Sequence, residues 1–547
     1  MFVKKVHIVN FKKFRDFTIV LNHKVNIIVG NNEEGKSTIL EAIHLALSGM
    51  YCGHILKNEI SEYLFNRDAV NEYIKSLSTT NKLSLPEILI EIIFDGIVGA
   101  DAIFNGDGNS YRDNTLSGIS FRICFNEDYQ DEYEKYITSN KEYTSLPIEY
   151  YRIEWKTFAR EAITSRSIPI KSIIIDSAAN KYQNGSDIYI SKIIKDSLDE
   201  KEIVALSQSY RTLKNNFKAD DAIKHINDKI TDSAKVTNKQ VTISVDMSVR
   251  NSWETSLMTY VDQIPFHNIG KGEQCLIKTN LALAHKKAEL SNLILLEEPE
   301  NHLSHTKLNE LLKQIQMKCQ EKQIIISTHS NFVANKLNLS NLILLTGNNT
   351  ISFSNLDSDD AEYFAKLSGY DTLRMILSHA AILVEGPTEE LLIQKAYHKV
   401  YAKLPIEDGI DVISVHGLAF KRFLSIAKSL LQKRIAVVTD NDGDYNKKIT
   451  EKYSEYISGQ YTNIKICADN RNELKTLEPQ FVEVNIPHLD TLRDILMIKE
   501  NEYPTKDSII KYMLNHKTEW ALQLFNSDKD FEIPSYIHEA INWVRGE

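Results

Sequence analysis

The sequence has no apolar run of about 18 residues, the length that a membrane-spanning helix needs. Its first residues, MFVKKVHIVNFKKF, also lack the long apolar segment and the small-residue cleavage site of a secretory signal peptide. These two absences exclude integral membrane proteins and secreted proteins from the expected classes. We therefore expect a soluble, cytoplasmic protein without a membrane partner.

Cysteine is also scarce, with five in 547 residues. Their number is odd, they are scattered along the chain, and no two of them form a CxxC pair. They are Cys52, Cys124, Cys275, Cys319 and Cys467. This pattern indicates neither a disulfide framework nor a structural zinc site.

An excess of positive charge is absent as well. The 64 Lys and Arg residues are outnumbered by 74 Asp and Glu residues, and the net charge is −10. This balance argues against a globally cationic surface that wraps nucleic acid. If the protein binds DNA, we expect a confined basic strip and binding that weakens steeply with salt.

What the sequence does contain is typical of a large globular protein. Hydrophobic residues make up 42% and charged residues 25% of the chain, which is ordinary globular composition. At 547 residues the chain far exceeds the roughly 250–300 residues at which one hydrophobic core stops growing. The sequence therefore predicts two or more domains.

Alternating strand and helix patterns predict an α/β fold. Dense apolar runs that end in polar residues, at 292–303 and 322–330, are typical of buried parallel strands. From about residue 380 strands and helices alternate again, which predicts a doubly wound α/β domain. We predict four segments: a first α/β domain in two parts, 1–159 and 246–370, a predominantly helical insert, 160–245, and a C-terminal α/β domain, 371–547.

A phosphate-binding loop is the first specific motif. The run GNNEEGKS fits GxxxxGK[ST] and stands between the apolar pattern KVNIIV and the helical pattern TILEAIHLAL. Backbone amides and the helix N-terminus suit phosphates, Lys36 can reach the β- and γ-phosphates, and Ser37 can hold Mg²⁺. The expected nucleotide-binding residues of this loop are Gly30, Asn31, Asn32, Glu33, Glu34, Gly35, Lys36, Ser37 and Thr38. ATP is therefore the predicted cofactor.

Two adjacent glutamates end the apolar run LILLEE. Glu297 can reach the shell of the Mg²⁺ that accompanies the nucleotide, and Glu298 can orient or deprotonate the attacking water. By itself such a pair is more often a solvated end of a strand. Its interpretation as part of an ATP site depends on the phosphate-binding loop upstream.

In combination, these motifs resemble an ABC-type ATPase head. The phosphate-binding loop, the glutamate pair, the following PENHL and a histidine after the next strand occur in the order of that family. The resemblance implies that Glu298 is the catalytic glutamate and that His329 senses the γ-phosphate. The opening NFKKF resembles the start of the SMC and RecF-like branch, whose members act on DNA.

The segment IGKGEQ is similar to the ABC signature loop, which completes the nucleotide site of an opposing subunit. The resemblance implies nucleotide contacts from Gly270, Lys271 and Gly272, and a homodimer or larger even oligomer. Gly270 stands where a serine is usual, Lys271 where a glycine is usual, and Glu297 where an aspartate is usual.

The C-terminal domain has carboxylates of its own. Glu385 ends its first predicted strand, and Glu389 lies four residues later. Asp440 and Asp442 follow a later predicted strand. Carboxylates at the carboxyl ends of neighbouring parallel strands converge in one crevice, and an oxygen-only cluster suits Mg²⁺ or Mn²⁺. These residues therefore predict a metal site for phosphoryl transfer.

A strand ending in Glu-Gly, followed about 55 residues later by a strand ending in Asp-x-Asp, is the pattern of a Toprim domain. Two further segments, TLE and KTEWAL, resemble the overcoming-lysogenization-defect (OLD) family of nucleases. That resemblance implies that Glu478 and Lys517 lie at the nuclease site, with Lys517 supporting the charge that develops on the scissile phosphate. The layout is similar to the Gabija and retron-associated OLD defence nucleases.

The resemblance to the OLD family implies an ATP-hydrolysing, divalent-metal-dependent DNA endonuclease. The implied metal ligands are Ser37 and Glu297 beside the nucleotide, and Glu385, Glu389, Asp440, Asp442 and Glu478 at the nuclease site. The family also implies an antiphage defence role, control by nucleotide or by a partner, and a defence partner that is a protein or a retron reverse transcriptase with its RNA and DNA.

The main alternative is a non-catalytic SMC- or RecF-like DNA clamp or sensor with a vestigial Toprim site. No long heptad arm is present, and an insert of about 85 residues suits a dimerisation element better than an SMC coiled coil. Primase chemistry usually comes with a zinc-binding module, which the cysteine pattern does not offer. Topoisomerase chemistry needs a nucleophilic tyrosine in a separate cleavage domain, which we do not identify.

Overall fold

The computed structural model describes residues 1–52, 54–79, 81–96, 103–139, 144–176, 182–183, 186–187, 198–233, 243, 258–284, 291–318, 321–417 and 419–547. These residues fall into two compact units. One consists of Met1–Asn26 and Gly35–Thr328, and the other of Ile27–Glu34 and His329–Glu547. Both units mix strands and helices, which confirms the predicted α/β class. The division into four segments stays a prediction.

The first unit contains a five-stranded antiparallel sheet. In spatial order its strands are Phe14–Val20, Phe2–Phe11, Ile88–Asp95, Ser117–Phe125 and Tyr151–Thr157. The central strand, ILIEIIFD, is buried on both faces, which explains its nearly continuous apolar sequence. Its buried Glu91 accepts a hydrogen bond from the N–H of Ser110 (2.9 Å) and pairs with His7 (3.3 Å), so its polar atoms have partners.

Three parallel strands of the first unit adjoin one another. Their order is Gln323–Ser327, Leu293–Glu297, Ser172–Asp176. Leu296 in the central strand lies opposite Ile326 on one side and Ile175 on the other. The first two strands confirm the predicted parallel pair. The third is a strand inside 160–245, the segment predicted to be predominantly helical: its short β-branched run SIIID pairs with Leu293–Glu297.

The helices of the first unit are Lys36–Ser48, Arg67–Leu77, Gln130–Ser139, Glu200–Ala219, Asp221–Ser233, Lys271–Ala284 and His305–Lys318. Two of them, Glu200–Ala219 and Asp221–Ser233, lie in the predicted helical insert. Asp199 starts the first of these with a reciprocal capping box to Glu202 (2.8 Å in both directions). Within 160–245, the stretches 177–181, 184–185, 188–197, 234–242 and 244–245 lie outside the described residues.

Short strand pairs complete the first unit. They are Met50–Tyr51 with His54–Ile55, Tyr182–Gln183 with Ser186–Asp187, and Tyr260–Val261 with Ile264–Pro265. None of the helices in the described part of the chain is long and apolar enough to cross a membrane. The described cysteines, Cys52, Cys124, Cys275 and Cys467, form no disulfide. Cys319 lies outside the described residues.

The second unit contains two sets of strands. In one, Ile27–Val29, the part of the strand Val25–Val29 that belongs to this unit, runs parallel to Leu342–Thr346, which pairs antiparallel with Asn349–Ser352. The other is a four-stranded parallel sheet in the order Ile410–Ser414, Ala380–Val384, Ile435–Val438, Ile464–Cys467. The residues that follow these four strands share one edge of the sheet, which we call the carboxyl edge.

The helices of the second unit are Asn331–Lys336, Ser358–Lys366, Thr372–Leu377, Pro387–Tyr401, Phe420–Ala427, Ser454–Ile457, Leu477–Val484, Leu489–Ile495, Lys506–Asn515, Lys517–Asn526 and Ser535–Arg545, with a further helical segment at Asn446–Glu451. The predicted alternation of strands and helices from about residue 380 is confirmed. Trp520, Phe481 and Tyr536 are buried in the core beside the parallel sheet. This core fixes the helices that carry the residues of the carboxyl edge.

Candidate functional site

Gly35 ends the phosphate-binding loop at the start of the helix Lys36–Ser48. Its φ is 97°, in the left-handed region that favours glycine. A Cβ at this position would lie 2.6 Å from Cζ of Phe14, which is fully buried. Phe14 belongs to the NFKKF segment, so this segment packs directly against Gly35. Both the backbone conformation and the packing therefore require glycine at position 35.

The first turn of the helix Lys36–Ser48 is suited to an anion. Among the described residues no side chain caps this helix, and its first turn carries no acidic residue. The partial positive charge of a helix N-terminus therefore stays available to a phosphate. Lys36 is buried, whereas Ser37 is exposed at the helix start. The roles assigned to Lys36, Ser37 and Thr38 stay predictions.

The remaining loop residues, Gly30, Asn31, Asn32, Glu33 and Glu34, belong to the second unit. The N–H of Glu34 donates to the carbonyl of Asn31 (3.2 Å), which closes a turn. The Glu34 carboxylate accepts a hydrogen bond from the N–H of Gly347 (3.1 Å). His329, also in the second unit, is exposed just after the strand Gln323–Ser327.

Glu298 follows the strand Leu293–Glu297 in an unusual conformation. Its φ is 40°, which is uncommon for a residue with a side chain. Its N–H donates to the carbonyl of Ser327 (3.0 Å), and its carbonyl accepts from the N–H of Asn301 (3.1 Å). The Asn301 side chain also donates to Oε2 of Glu298 (3.0 Å). Backbone and carboxylate are thus both fixed, as a residue that orients a reactant requires.

The signature-like loop contains two glycines in very different surroundings. A Cβ on Gly272 would lie 2.5 Å from the carbonyl oxygen of His302, whereas a Cβ on Gly270 would meet nothing within 4 Å. Gly272 therefore packs directly against the segment that follows the glutamate pair. Lys271 is exposed. The space at Gly270 would admit the serine that is usual there, so this departure from the ABC pattern is not a steric requirement.

Glu385 and Asp440 are brought together at the carboxyl edge. Oε1 of Glu385 accepts hydrogen bonds from Oγ1 of Thr439 (2.7 Å) and from the backbone N–H of Asp440 (3.1 Å). The ends of the adjacent strands Ala380–Val384 and Ile435–Val438 are therefore tied through the glutamate carboxylate. The prediction that carboxylates converge at this edge rests on the same parallel pairing.

Glu389 and Glu478 lie in the same electrostatic cluster. Oε2 of Glu389 accepts from the N–H of Gly386 (3.0 Å) at the start of the helix Pro387–Tyr401. The pKa of Glu389 is raised to about 7: burial is the largest cause, the negative charges of Glu385 and Glu478 also raise it, and the backbone hydrogen bonds to its carboxylate lower it. Glu478 is only 3% exposed and accepts from Oγ1 of Thr476 (3.0 Å).

The rise in pKa is larger for Asp440 than for Glu389. Burial is the largest cause that raises its pKa to about 8, followed by the charges of Glu385, Glu389, Glu478 and Asp442. The other four predicted carboxylates are therefore all electrostatic neighbours of Asp440. Such mutual repulsion is what a divalent cation relieves, and carboxylate oxygens are the donors that Mg²⁺ and Mn²⁺ prefer. The donor chemistry of this cluster fits a divalent metal ion.

The carboxylates are not drawn onto one point. Within the described ranges, no three Asp, Glu, His or Cys side chains are close enough together to hold a metal ion as they stand. Four of the cluster are instead held by protein donors: Glu385 by Thr439, Glu389 by Gly386, Glu478 by Thr476 and Asp442 by Lys448. Metal binding would need side-chain rotation, so the ligand set stays a prediction.

Asp442 is the most exposed of the five. Its side chain is 56% exposed and pairs with Nζ of Lys448 at 2.9 Å. Its φ is 50°, and its N–H donates to the carbonyl of Lys475 (3.1 Å). The loop that carries Asp442 is thus fixed on one side by the backbone of Lys475, and its carboxylate faces a lysine.

Lys517 is not brought into contact with these carboxylates. It is the exposed first residue of the helix Lys517–Asn526 and forms no ion pair with them in the described part of the chain. Its helix packs along Pro387–Tyr401, the helix that carries Glu389 in its first turn. The helix position agrees with the sequence pattern, whereas the role beside a scissile phosphate stays a prediction.

Two buried positions escape the sequence analysis. Asn441 lies between the two predicted aspartate ligands, and its amide donates to the carbonyls of Asp469 (2.8 Å), Arg471 (2.9 Å) and Leu474 (3.3 Å). Its Oδ1 accepts from the N–H of Gly443 (2.7 Å). Asn441 thus ties the loop between the two aspartates to the segment 469–474. In the sequence, only its position inside the Asp-x-Asp motif could indicate this.

Tyr536 is the second such position. Its hydroxyl donates to Oε1 of Gln480 (2.7 Å), and both residues are buried. Burial is the largest cause that raises the pKa of Tyr536, and the nearby charges of Asp440 and Glu389 also raise it. No local motif marks Tyr536, which comes from the last helix, Ser535–Arg545.

Comparison with known families assigns most of the chain. The family model described as "AAA domain" matches residues 5–326 of this chain. The model described as "Overcoming lysogenization defect protein-like, TOPRIM domain" matches residues 376–442. These matches confirm the predicted combination of an ATPase domain with a C-terminal Toprim domain.

Individual relatives match only part of this chain, and at low sequence identity. The chain is 25% identical over 358 residues to endonuclease GajA of Bacillus cereus (strain HuB5-5), covering 55% of this chain and 48% of GajA. It is 32% identical over 83 residues to the DNA replication and repair protein RecF of Clostridium botulinum (strain ATCC 19397 / Type A), covering 15% of this chain and 22% of RecF. The chain thus spans about half of GajA and less than a quarter of RecF.

Among solved structures, the C-terminal region of the Xanthomonas campestris pv. campestris OLD protein is 18% identical with a TM-score of 0.25. This comparison covers 32% of this chain and 95% of that structure. The SMC head domain from Thermotoga maritima is 15% identical with a TM-score of 0.27, covering 63% of this chain and 95% of that structure.

Proposed function

Because the chain belongs to the AAA domain family and carries an OLD-like Toprim domain, we propose that it is an ATP-hydrolysing, divalent-metal-dependent DNA endonuclease. The observation that carries this proposal is the set of five electrostatically interacting carboxylates at the carboxyl edge of the parallel sheet. The pKa values of Glu389 and Asp440, about 7 and about 8, reflect burial and mutual repulsion. A structural role alone does not favour acidic side chains that raise the pKa values of their neighbours in this way.

In the proposed nuclease site, the metal ligands are Glu385, Glu389, Asp440, Asp442 and Glu478. A bound Mg²⁺ or Mn²⁺ supplies Lewis-acid stabilisation of the scissile phosphate and a nucleophilic water. Thr439 and the N–H of Asp440 hold the Glu385 carboxylate in place, and Asn441 fixes the loop between the two aspartates. Lys517 is proposed to support the developing charge on the phosphate.

The proposed ATP site uses the phosphate-binding loop for the phosphates and Glu298 as the residue that orients or deprotonates the attacking water. The fixed backbone and carboxylate of Glu298 support this assignment. His329 is proposed to sense the γ-phosphate, and Glu297 and Ser37 to hold the accompanying Mg²⁺. The signature-like loop from Gly270 to Gly272 is proposed to complete the site of an opposing copy, which makes the active form an even-numbered oligomer.

The similarity to an endonuclease named GajA supports the proposed reaction type. We also propose that nucleotide or a partner controls cleavage, that the protein acts in antiphage defence with a protein or reverse-transcriptase partner, and that it is cytoplasmic.

The non-catalytic DNA clamp or sensor remains the second candidate. It is favoured by one observation, the absence of three convergent metal ligands among the described side chains as they stand.

Cleavage of supercoiled and linear DNA tests the proposal. The full-length protein is incubated with Mg²⁺ or Mn²⁺, with and without ATP, beside three variants. Glu389→Gln removes one acidic ligand and should abolish cleavage. Its neighbour Glu390→Gln is the matched control, because Glu390 lies among Arg374, Asp411 and Asp371, and it should cut DNA normally.

Lys36→Ala separates the two activities. It should abolish ATP hydrolysis, and its effect on cleavage shows whether nucleotide controls the nuclease site. ATP hydrolysis without any DNA cleavage by the wild-type protein, with either metal ion and either form of DNA, would favour the clamp or sensor over the nuclease.

A further inference from the structure

Four lysines lie in the connections that follow the parallel strands at the carboxyl edge. They come from three separate connections: the helix after Ile410–Ser414, the helical segment after Ile435–Val438, and the loop before Leu477–Val484. The four are Lys421, Lys448, Lys452 and Lys475, and we call them the lysine rim. In a chain with a net charge of −10, a cationic group next to the most acidic site has to be explained.

Lys448 is the member whose side chain comes closest to the cluster. Its Nζ lies 2.9 Å from Oδ2 of Asp442, and the two side chains are 44% and 56% exposed. An ion pair this exposed contributes little to stability, so fold stability does not explain the lysine. Because the pair is open to solvent, the Lys448 ammonium can leave Asp442 for another anion at small cost.

Lys452 lies four residues after Lys448, and neighbours four apart share a helix face. Burial lowers the pKa of the Lys452 ammonium; the charges of Lys448 and Lys421 lower it as well, whereas those of Glu385 and Asp442 raise it. Lys452 is therefore within electrostatic range of Lys448 and Lys421 and of two proposed metal ligands, Glu385 and Asp442. Because the charges of Lys448 and Lys452 repel each other, a further anion close to both would be stabilised.

Lys475 fixes the other side of the Asp442 loop. Its carbonyl accepts the N–H of Asp442 (3.1 Å), and its side chain passes 3.2 Å from where a Cβ on Gly443 would stand. Its ammonium end is exposed. The loop that carries Asp442 is thus flanked by Lys475 on its backbone side and by Lys448 at its carboxylate.

We propose that the lysine rim binds the phosphodiester backbone of the DNA strand presented to the acidic cluster, with Lys448 exchanging Asp442 for a phosphate. The inference rests on the proposed nuclease function, since it assigns the substrate-holding surface of the same site. Lysine ammonium groups hold phosphates without reading base sequence, so the rim positions the strand and does not select it. The carboxylates alone would repel the strand, and the rim offsets that repulsion.

The test is the salt dependence of DNA binding by the full-length protein. Affinity for a labelled linear duplex is measured over a range of salt concentrations with Ca²⁺ in place of Mg²⁺. The variant is Lys421→Gln with Lys452→Gln, since neither lysine contacts a proposed metal ligand directly. The slope of log affinity against log salt should become less negative by about 0.9 for each phosphate that the variant no longer binds, and affinity at moderate salt should fall at least about 10-fold.

Lys403→Gln is the matched control. Lys403 follows the helix Pro387–Tyr401, whose opposite end carries Glu389, and it pairs with Asp408 instead. It should bind DNA with the wild-type slope. An unchanged salt slope in the double variant, or an equal loss of DNA affinity in Lys403→Gln, would contradict DNA binding by the lysine rim. DNA cleavage by the wild-type protein would still support the proposed nuclease function in that case. Wild-type protein that neither binds nor cuts DNA would overturn both.

Discussion

The backbone N–H of Asp440 donates to Oε1 of Glu385 at 3.1 Å, which joins the ends of two adjacent parallel strands through two residues of the acidic cluster. Thr439 adds a second hydrogen bond to the same oxygen (2.7 Å). One oxygen of Glu385 is therefore occupied by the protein, and the other remains for a ligand. The geometry of the carboxyl edge is built into the backbone of the sheet, whereas the final arrangement of the carboxylates depends on side-chain rotation.

Asn441 should be more important for cleavage than its neutral side chain suggests. Asn441→Ala leaves the carbonyls of Asp469 and Arg471 without their donor and should lower the free energy of unfolding by about 2–4 kcal/mol. Cleavage should fall by about 100-fold or more, because Asp440 and Asp442 lose their fixed loop. Urea denaturation and a cleavage assay measure the two effects.

The control for Asn441 is Asn446→Ala. Asn446 is exposed and donates to Glu451 (3.1 Å), so the change should leave stability and cleavage close to the wild type. Wild-type cleavage by a folded Asn441→Ala protein would show that the loop does not need this residue.

The metal-free protein should lose stability as pH rises. The pKa of Asp440 is raised from 3.8 to about 8 and that of Glu389 from 4.5 to about 7, so the folded protein binds more protons than the unfolded chain between these limits. Stability is then greatest below about pH 4 for these groups and falls toward pH 8, by up to about 1.4 kcal/mol per pH unit for each group. Thermal unfolding in a chelator, at about pH 5 and about pH 8, measures the loss.

Two comparisons check the cause of this pH effect. Asp440→Asn should flatten the profile, because it removes one of the coupled carboxyls. Mg²⁺ should stabilise the protein more at the higher pH, where its ligands are ionised. A melting temperature that rises across this window in the chelator would contradict the raised pKa values.

Much of the carboxyl edge was predictable because its signals are local. Glu385 and Asp440 each follow a short, β-branched apolar run, and parallel strands of that kind place their next residues at one edge. In the sequence, Asn441 is one polar residue within an acidic run, and nothing around it indicates that it is buried. Its buried position depends on carbonyls about 30 residues away, which no local pattern reveals.

The missed strand Ser172–Asp176 shows the same limit in the first unit. Its five residues, SIIID, stand in a polar region that reads as helical, and they become a strand only through pairing with Leu293–Glu297. Tertiary pairing decided the state of a segment whose own preference was weak. The fit of Phe14 against Gly35 was likewise invisible, although both motifs were recognised separately.

Substitution should destabilise the protein at Gly272 but not at Gly270, the other glycine of the signature-like loop. Gly272→Ala places a Cβ 2.5 Å from the carbonyl oxygen of His302 and should cost about 1–3 kcal/mol of stability, with a loss of ATP hydrolysis. Gly270→Ser enters open space and should change stability by less than about 0.5 kcal/mol. Thermal unfolding and ATPase assays of the pair measure the difference. Equal effects of the two substitutions would contradict the packing of Gly272 on His302.

Gly35 and Phe14 allow steric and backbone effects at the phosphate-binding loop to be separated. Gly35→Ala should abolish ATP binding, because its Cβ clashes with the Phe14 ring at 2.6 Å and its φ of 97° disfavours any side chain. Gly35→Ala with Phe14→Ala removes the clash but keeps the strained φ, and Phe14→Ala alone controls for the lost aromatic ring. Calorimetric titration with a non-hydrolysable ATP analogue should show partial recovery in the double variant relative to Gly35→Ala. Full recovery to the level of Phe14→Ala would show that the clash alone, and not the left-handed backbone, makes glycine necessary there.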